Sequence, residues 1–140
     1  MKAVIQRVKR AKVGSEEIGE GLVALVGLEV GDDLEKIRRF VRKLVRLRIF
    51  EDEGGKLNLS VGDIGGEILV VSNFTLAGDV RKGNRPSFAG AMPADEARVL
   101  FGKLVDMLRS EYPGVKTGQF QTYMEVELVN AGPVTIIYSD

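Results

Sequence analysis

Two short segments carry groups that could do ester chemistry: Ser72-Asn73-Phe74-Thr75-Leu76 and Asn130-Ala131-Gly132-Pro133-Val134-Thr135. The first offers two hydroxyls and a carboxamide directly after the apolar residues 68–71. The second centres on Gly132-Pro133, where the fixed proline φ makes a stiff corner. The chain of 140 residues contains no histidine and no cysteine. A Ser-His-Asp triad, a thiolate nucleophile and a disulfide are therefore excluded. A zinc site would have to be built from carboxylates alone, so no metal site is expected. Any hydrolysis must find its proton acceptor in a carboxylate, a lysine, a water network or the substrate itself.

Each segment also has a plainer reading. Ser and Thr at a strand end commonly satisfy turn hydrogen bonds, and backbone N–H groups there can equally stabilise an oxyanion. Gly-Pro between two strands is ordinarily a turn, and only about 5% of X-Pro bonds in folded proteins are cis. Residue types alone leave these alternatives open.

The surrounding elements must position both segments. Residues 3–8 read as a strand that continues through Ala11 and Val13 to a turn at Gly14. Residues 22–28 form an apolar run bounded by glycines, which suits a buried strand. Residues 67–72 form another and deliver Ser72 to its C-terminal end. Asp32-Asp33-Leu34-Glu35 resembles a capping box, with Glu35 three residues after Asp32. Ile37, Phe40, Val41, Leu44 and Val45 then recur at helical spacing, with Arg38, Arg39, Arg42, Lys43 and Arg46 on the other faces. Residues 79–92 make a long polar loop containing Arg81, Lys82, Arg85 and Pro86, and loops of that length are often functional. A second helix opens near Pro93 or Asp95 and turns Ala97, Leu100, Phe101, Leu104, Val105 and Leu108 inward. Two last strands, 124–129 and 134–138, flank the Gly-Pro pair. Two helices among six or more strands argue for one α+β domain over residues 1–140, not a doubly wound sheet.

Composition agrees, with 44% apolar and 29% charged residues, as in ordinary globular domains. The longest apolar runs fall far short of the roughly 20 residues that span a bilayer. The opening residues pass straight into a strand pattern without the layout of a signal peptide, so a cytoplasmic location and no membrane partner are expected. Net charge is zero but uneven: residues 1–50 carry twelve Lys and Arg against seven Asp and Glu, residues 51–140 eight against thirteen. The basic half suits a polyanion, although an amphipathic helix needs a solvated face anyway. Gly19-Glu20-Gly21-Leu22-Val23-Ala24 matches a loose dinucleotide fingerprint, but a β-like run follows where a helix should open. Gly55-Lys56 lacks both the earlier glycine and the following hydroxyl of a phosphate loop.

Over essentially its whole length the chain resembles the D-aminoacyl-tRNA deacylases, also called D-tyrosyl-tRNA deacylases. The resemblance is carried in order by Ile5-Gln6-Arg7-Val8, Arg48-Ile49-Phe50, Gly55-Lys56-Leu57-Asn58-Leu59 and Leu69-Val70-Val71-Ser72. It continues through Phe74-Thr75-Leu76, Arg85-Pro86-Ser87-Phe88, Thr117-Gly118 and Gly132-Pro133-Val134-Thr135. It implies β-sheets forming a barrel-like core with two main helices. It implies hydrolysis of the ester joining a D-amino acid to the terminal adenosine of tRNA, and of glycyl-tRNA mischarged on tRNA(Ala). It also implies a homodimer without cofactor, in which a cis Gly-Pro corner of one subunit enters the pocket of the other. By that resemblance the carbonyls of Gly132 and Pro133 bind the substrate's α-amino group and leave no room for an L side chain. Val134 and Thr135 extend the corner, and Arg7 braces it. Ser72, Asn73, Phe74 and Thr75 line the pocket, with the Phe74 amide at the oxyanion and the substrate's 2′-hydroxyl assisting catalysis. Two departures stand out: Asn73 replaces the family's usual glutamine, and the segment between Val13 and Ile18 is shorter than in typical members. Two rival classes remain: a tRNA- or RNA-binding module without turnover, which Asn73 favours, and a structural homodimer using Gly132-Pro133 only as a turn.

Overall fold

The computed structural model describes residues Met1–Asp140. Successive side chains of a strand point to opposite faces of the sheet, and here both faces are buried. In Gly21–Gly27 (β3) and Glu67–Ser72 (β6), Leu22, Ala24, Val26, Ile68 and Val70 join one core. Their neighbours Val23, Leu69 and Val71 join a second, on the opposite face of the sheet. The strand Lys2–Val13 (β1) changes parity midway, with Ala3 and Ile5 in the first core and Val8, Ala11 and Val13 in the second. An irregularity between Val8 and Arg10 accommodates the switch, since one extra residue flips every later side chain.

The remaining strands are Glu16–Ile18 (β2), Phe50–Glu51 (β4), Leu57–Leu59 (β5), Val115–Thr117 (β7) and Val126–Ser139 (β8), with helices Leu34–Arg46 (α1) and Ala94–Glu111 (α2). The main sheet runs β2-β1-β3-β6-β7, with β8 on the other edge of β1. The pairs β3–β6 and β6–β7 are parallel and joined through α1 and α2, as parallel neighbours require a crossover. Both helices pack on one face, where Phe40, Leu44, Leu104 and Leu108 are fully buried. Burial of each such side chain contributes about 2 kcal/mol. On the other face the sheet curls into a nearly closed barrel, and Lys116 Nζ donates to the Glu17 carbonyl at 2.6 Å between β7 and β2. Neither helix is long and apolar enough to cross a membrane.

Two expectations are corrected. The cap of α1 is Asp33, whose side chain accepts from the Lys36 amide at 2.9 Å. Asp32 is buried and spends its carboxylate on the Met1 amino group at 2.7 Å and Lys36 Nζ at 3.1 Å. The second correction concerns the C-terminal strands. They are one strand, β8, paired with β1 on both sides of Gly132-Pro133. The Gly-Pro pair is a bulge in a continuing strand and reverses nothing.

Candidate active site

Apolar β6 ends at Ser72, and the chain at once tightens into a 3-10 turn over Phe74–Ala77. The Asn73 amide donates to the Val26 carbonyl at 2.8 Å, which extends the β3–β6 pairing by one step. Gly27 at the end of β3 permits the close approach: a Cβ there would lie 2.9 Å from the Asn73 carbonyl oxygen and from Leu76 Cβ. Helix geometry gives the first amides of the turn, Phe74 and Thr75, no partner inside it. Ser72 and Asn73 are half-buried, whereas Phe74 and Thr75 are exposed. The Thr75 hydroxyl donates to Asn73 Oδ1 at 2.5 Å and so orients the carboxamide.

A cavity of about 570 Å³ opens beside this strand end. Leu25 and Val71 give it an apolar floor, Ser72, Asn73 and Phe74 form one rim, and Met124 with residues 121–123 forms the other. Gln121 in that far rim has φ 57, unusual for a non-glycine residue. It is held from α2 by Arg98, which donates to Gln121 Oε1 at 2.6 Å and lies 5.0 Å over the Phe120 ring. No Asp, Glu, Lys or Arg lines the cavity. Two of the four proton acceptors that composition left open, a carboxylate and a lysine, are thereby absent from its walls.

The second segment is built differently. Gln6 pairs with Thr135 and Val8 with Asn130, so Arg7 alone faces residues 131–134. Its side chain, 11% exposed, fills the bulge. Nε donates to the Ala131 carbonyl at 2.8 Å and Nη1 to the Ile49 carbonyl at 3.0 Å, with Nη2 3.7 Å from Glu51 Oε1. Asn130 closes the base: its Oδ1 accepts from the Val134 amide at 2.8 Å, and its Nδ2 donates to Thr135 Oγ1 at 3.0 Å. Gln6 Nε2 reaches the same hydroxyl at 3.3 Å. The Gly132-Pro133 bond is cis, and both residues face solvent. Gly132 has φ 133, a region open to glycine, and a Cβ there would meet Arg7 Nη2 at 2.9 Å.

Ser72, Asn73 and Phe74 thus share one cavity with Thr75 beside them, and Arg7, Gly132, Pro133, Val134 and Thr135 share one corner. Residues 132–135 do not line the cavity of their own chain. Sequence reasoning missed Asn130 as the clamp of the corner, although Asn side chains commonly bond backbone groups a few residues away. It also missed Met124, Gln121 and Arg98, which no local pattern connects to Ser72.

The family model for D-Tyr-tRNA(Tyr) deacylase matches residues 4–139. D-aminoacyl-tRNA deacylases from Carboxydothermus hydrogenoformans and Heliobacterium modesticaldum are each 56% identical to this chain over 98% of it, and the matches cover 98% and 95% of those proteins. Among solved structures, a c-Myc DNA unwinding element binding protein superposes with a TM-score of 0.95 at 42% identity, covering 100% of this chain and 99% of that one. A probable eukaryotic D-amino acid tRNA deacylase shares the fold at 18% identity, with a TM-score of 0.80 over 98% of this chain and 97% of that one. Similarity of this depth along nearly every residue, to relatives of the same length, makes the chain a hydrolase of the D-aminoacyl-tRNA deacylase family.

Proposed function

We propose that two copies of the chain build each site, the Gly132-Pro133 corner of one entering the cavity beside Ser72 of the other. The substrate is the ester between a D-amino acid, or glycine mischarged on tRNA(Ala), and the terminal ribose of tRNA. The observation that carries this reading is the cavity itself, with an apolar floor, a hydroxyl and amide rim and no ionisable carboxylate or amine in its walls. An unassisted Ser72 or Thr75 hydroxyl is a weak nucleophile, so the base must come with the substrate. Water adds to the ester carbonyl carbon while the terminal 2′-hydroxyl relays its proton to the departing 3′-oxygen. The Phe74 amide holds the oxyanion. Breaking the C–O bond releases free D-amino acid and tRNA.

The corner supplies selectivity. The carbonyls of Gly132 and Pro133, two residues open to solvent, would take the α-ammonium, and Val134 and Thr135 continue the wall. The braces from Arg7 and Asn130 support a fixed shape, since an L side chain is refused by backbone that cannot yield. A filter of that kind works for many D side chains because it reads none of them. Activity without added metal follows from this reading, and a cytoplasmic location is proposed with it.

Deacylation of D-tyrosyl-tRNA beside L-tyrosyl-tRNA, with chelator present, tests it. Rapid loss of the D ester alone is expected; equal loss of both would reject the filter. Sedimentation supplies a second check, because a fully active monomer would rule out a site shared between copies. A binding module without turnover draws on one observation, the short Asn73 amide tied back to Thr75. Tight binding of D-aminoacyl-tRNA with no hydrolysis, relieved by Asn73→Gln, would favour it.

A further inference from the structure

We infer that the loop of residues 79–92 holds the single-stranded 3′ end of the substrate, with Phe74 and Phe88 as a stacking platform and Lys82 and Arg85 as phosphate contacts. The inference rests on D-aminoacyl-tRNA being the substrate and adds the surface that carries the nucleotides leading to the reacting ester.

The loop has a defined neck. Asp79 and Ser87 exchange both backbone hydrogen bonds, at 2.8 and 2.9 Å, and Arg81 folds back onto the Asp79 carboxylate at 2.6 Å. The neck sets Phe88 edge-on to Phe74, with ring centroids 5.2 Å apart and planes at 65°. Both rings stay open to solvent, Phe74 at 59% and Phe88 at 39% exposure. Phe74 is at the same time a wall of the cavity, so the aromatic surface is continuous with the place where the ester must lie. Beyond the neck, Lys82 and Arg85 are exposed and unpaired, and Arg81 is the only loop cation committed to a carboxylate. Aromatic faces beside free cations are the chemistry that binds single-stranded nucleic acid, the rings stacking bases while the cations follow phosphates.

Other exposed cations lie on β1, at Lys9, Arg10 and Lys12, and on the outer face of α1. On that helix Arg38 and Arg39 are engaged by Glu35 and Asp140, and α1 packs on the face of the sheet opposite the core next to the cavity. Arg42, Lys43 and Arg46 on that helix therefore serve as the competing route.

Two substrates separate the possibilities: D-tyrosyl-tRNA, and D-tyrosyl-adenosine, which has the same ester without the preceding nucleotides. In the double variant Lys82→Ala, Arg85→Ala, KM for the tRNA should rise about tenfold and the magnitude of its log–log salt slope should fall by about 1.4, at roughly 0.7 per lost contact. Hydrolysis of the adenosine ester should keep its parental kcat/KM. Phe88→Leu keeps an apolar neighbour for Phe74 but removes the aromatic face, and should raise KM for the tRNA severalfold. Equal losses on both substrates would show a structural role and overturn the inference. So would an unchanged salt slope, above all if Arg42→Ala, Lys43→Ala and Arg46→Ala carried the effect instead. A parent protein inert on both esters would overturn the deacylase reading itself.

Discussion

The corner at residues 130–135 and the turn at residues 72–77 both lift backbone out of a strand, yet they are held by opposite means. The corner is clamped by side chains: Arg7 from β1 fills it, and Asn130 and Thr135 close it from β8. The turn is set by backbone hydrogen bonds and by the space that Gly27 leaves, and its polar side chains mainly bond one another. On the proposed function, a region whose shape refuses a substrate needs the first construction, and a region that only offers amides and hydroxyls can use the second. The difference would then assign discrimination and reaction to separate parts of the chain, which two copies would bring together.

The sharpest way to break that assignment is to change the substrate. With a 2′-deoxy terminal ribose, deacylation of the D ester should slow by about a hundredfold or more, the usual worth of a positioned acid-base group. An unchanged rate would mean that the turn region hides a base after all. Next in size is Arg7→Ala. It strands the Ala131 and Ile49 carbonyls that the guanidinium satisfies, and charge-assisted bonds of this kind give a cost of about 3 kcal/mol. Denaturant unfolding should report that loss, and the rate ratio of D to L ester should fall with it. If stability falls while the ratio holds, Arg7 supports the fold without setting the filter. Gly132→Ala follows, at about 1–3 kcal/mol, because alanine must adopt φ 133 and press on Arg7. Activity on D-tyrosyl-tRNA should drop about tenfold, and wild-type activity there would place the corner away from substrate.

Much of the frame is legible in the amino-acid sequence. Unbroken apolar runs expose β3 and β6, and the spacing of Ile37, Phe40, Val41 and Leu44 exposes α1, because both patterns are written in adjacent residues. What stayed hidden depends on partners far along the chain. Gly132-Pro133 reads locally as the end of a strand. Only the register against β1, where Arg7 faces residues 131–134, keeps β8 continuous. Asp32 reads locally as the helix cap, but it is buried against the Met1 amino group, which leaves the cap to Asp33. At three residues, β7 is too short to carry a period. The candidate site divides in the same way. Ser72 through Thr75 stand out as polar groups after an apolar run, whereas the opposite rim at Met124 and Gln121 is brought there by the curl of the sheet and by Arg98. Arg7 is legible only through the family resemblance, since nothing around it on β1 marks it as a brace.

The smallest effects are expected where the comparison is most exposed to challenge, at the hydroxyls of the turn. Ser72→Ala and Thr75→Ala should each lower the deacylation rate only a few-fold and leave stability within about 0.5 kcal/mol, as is usual for substitutions at exposed or half-exposed positions. Thr75→Ala should be the larger of the two, because it frees the Asn73 carboxamide that the hydroxyl now orients. Rapid-quench measurements on labelled D-tyrosyl-tRNA should find no acyl-enzyme in either variant or in the parent. A trapped acyl-enzyme in the parent that disappears together with turnover in one variant would identify that hydroxyl as the nucleophile. The turn would then be a reaction centre in its own right, and the separation between a shaping corner and a merely donating turn would fail.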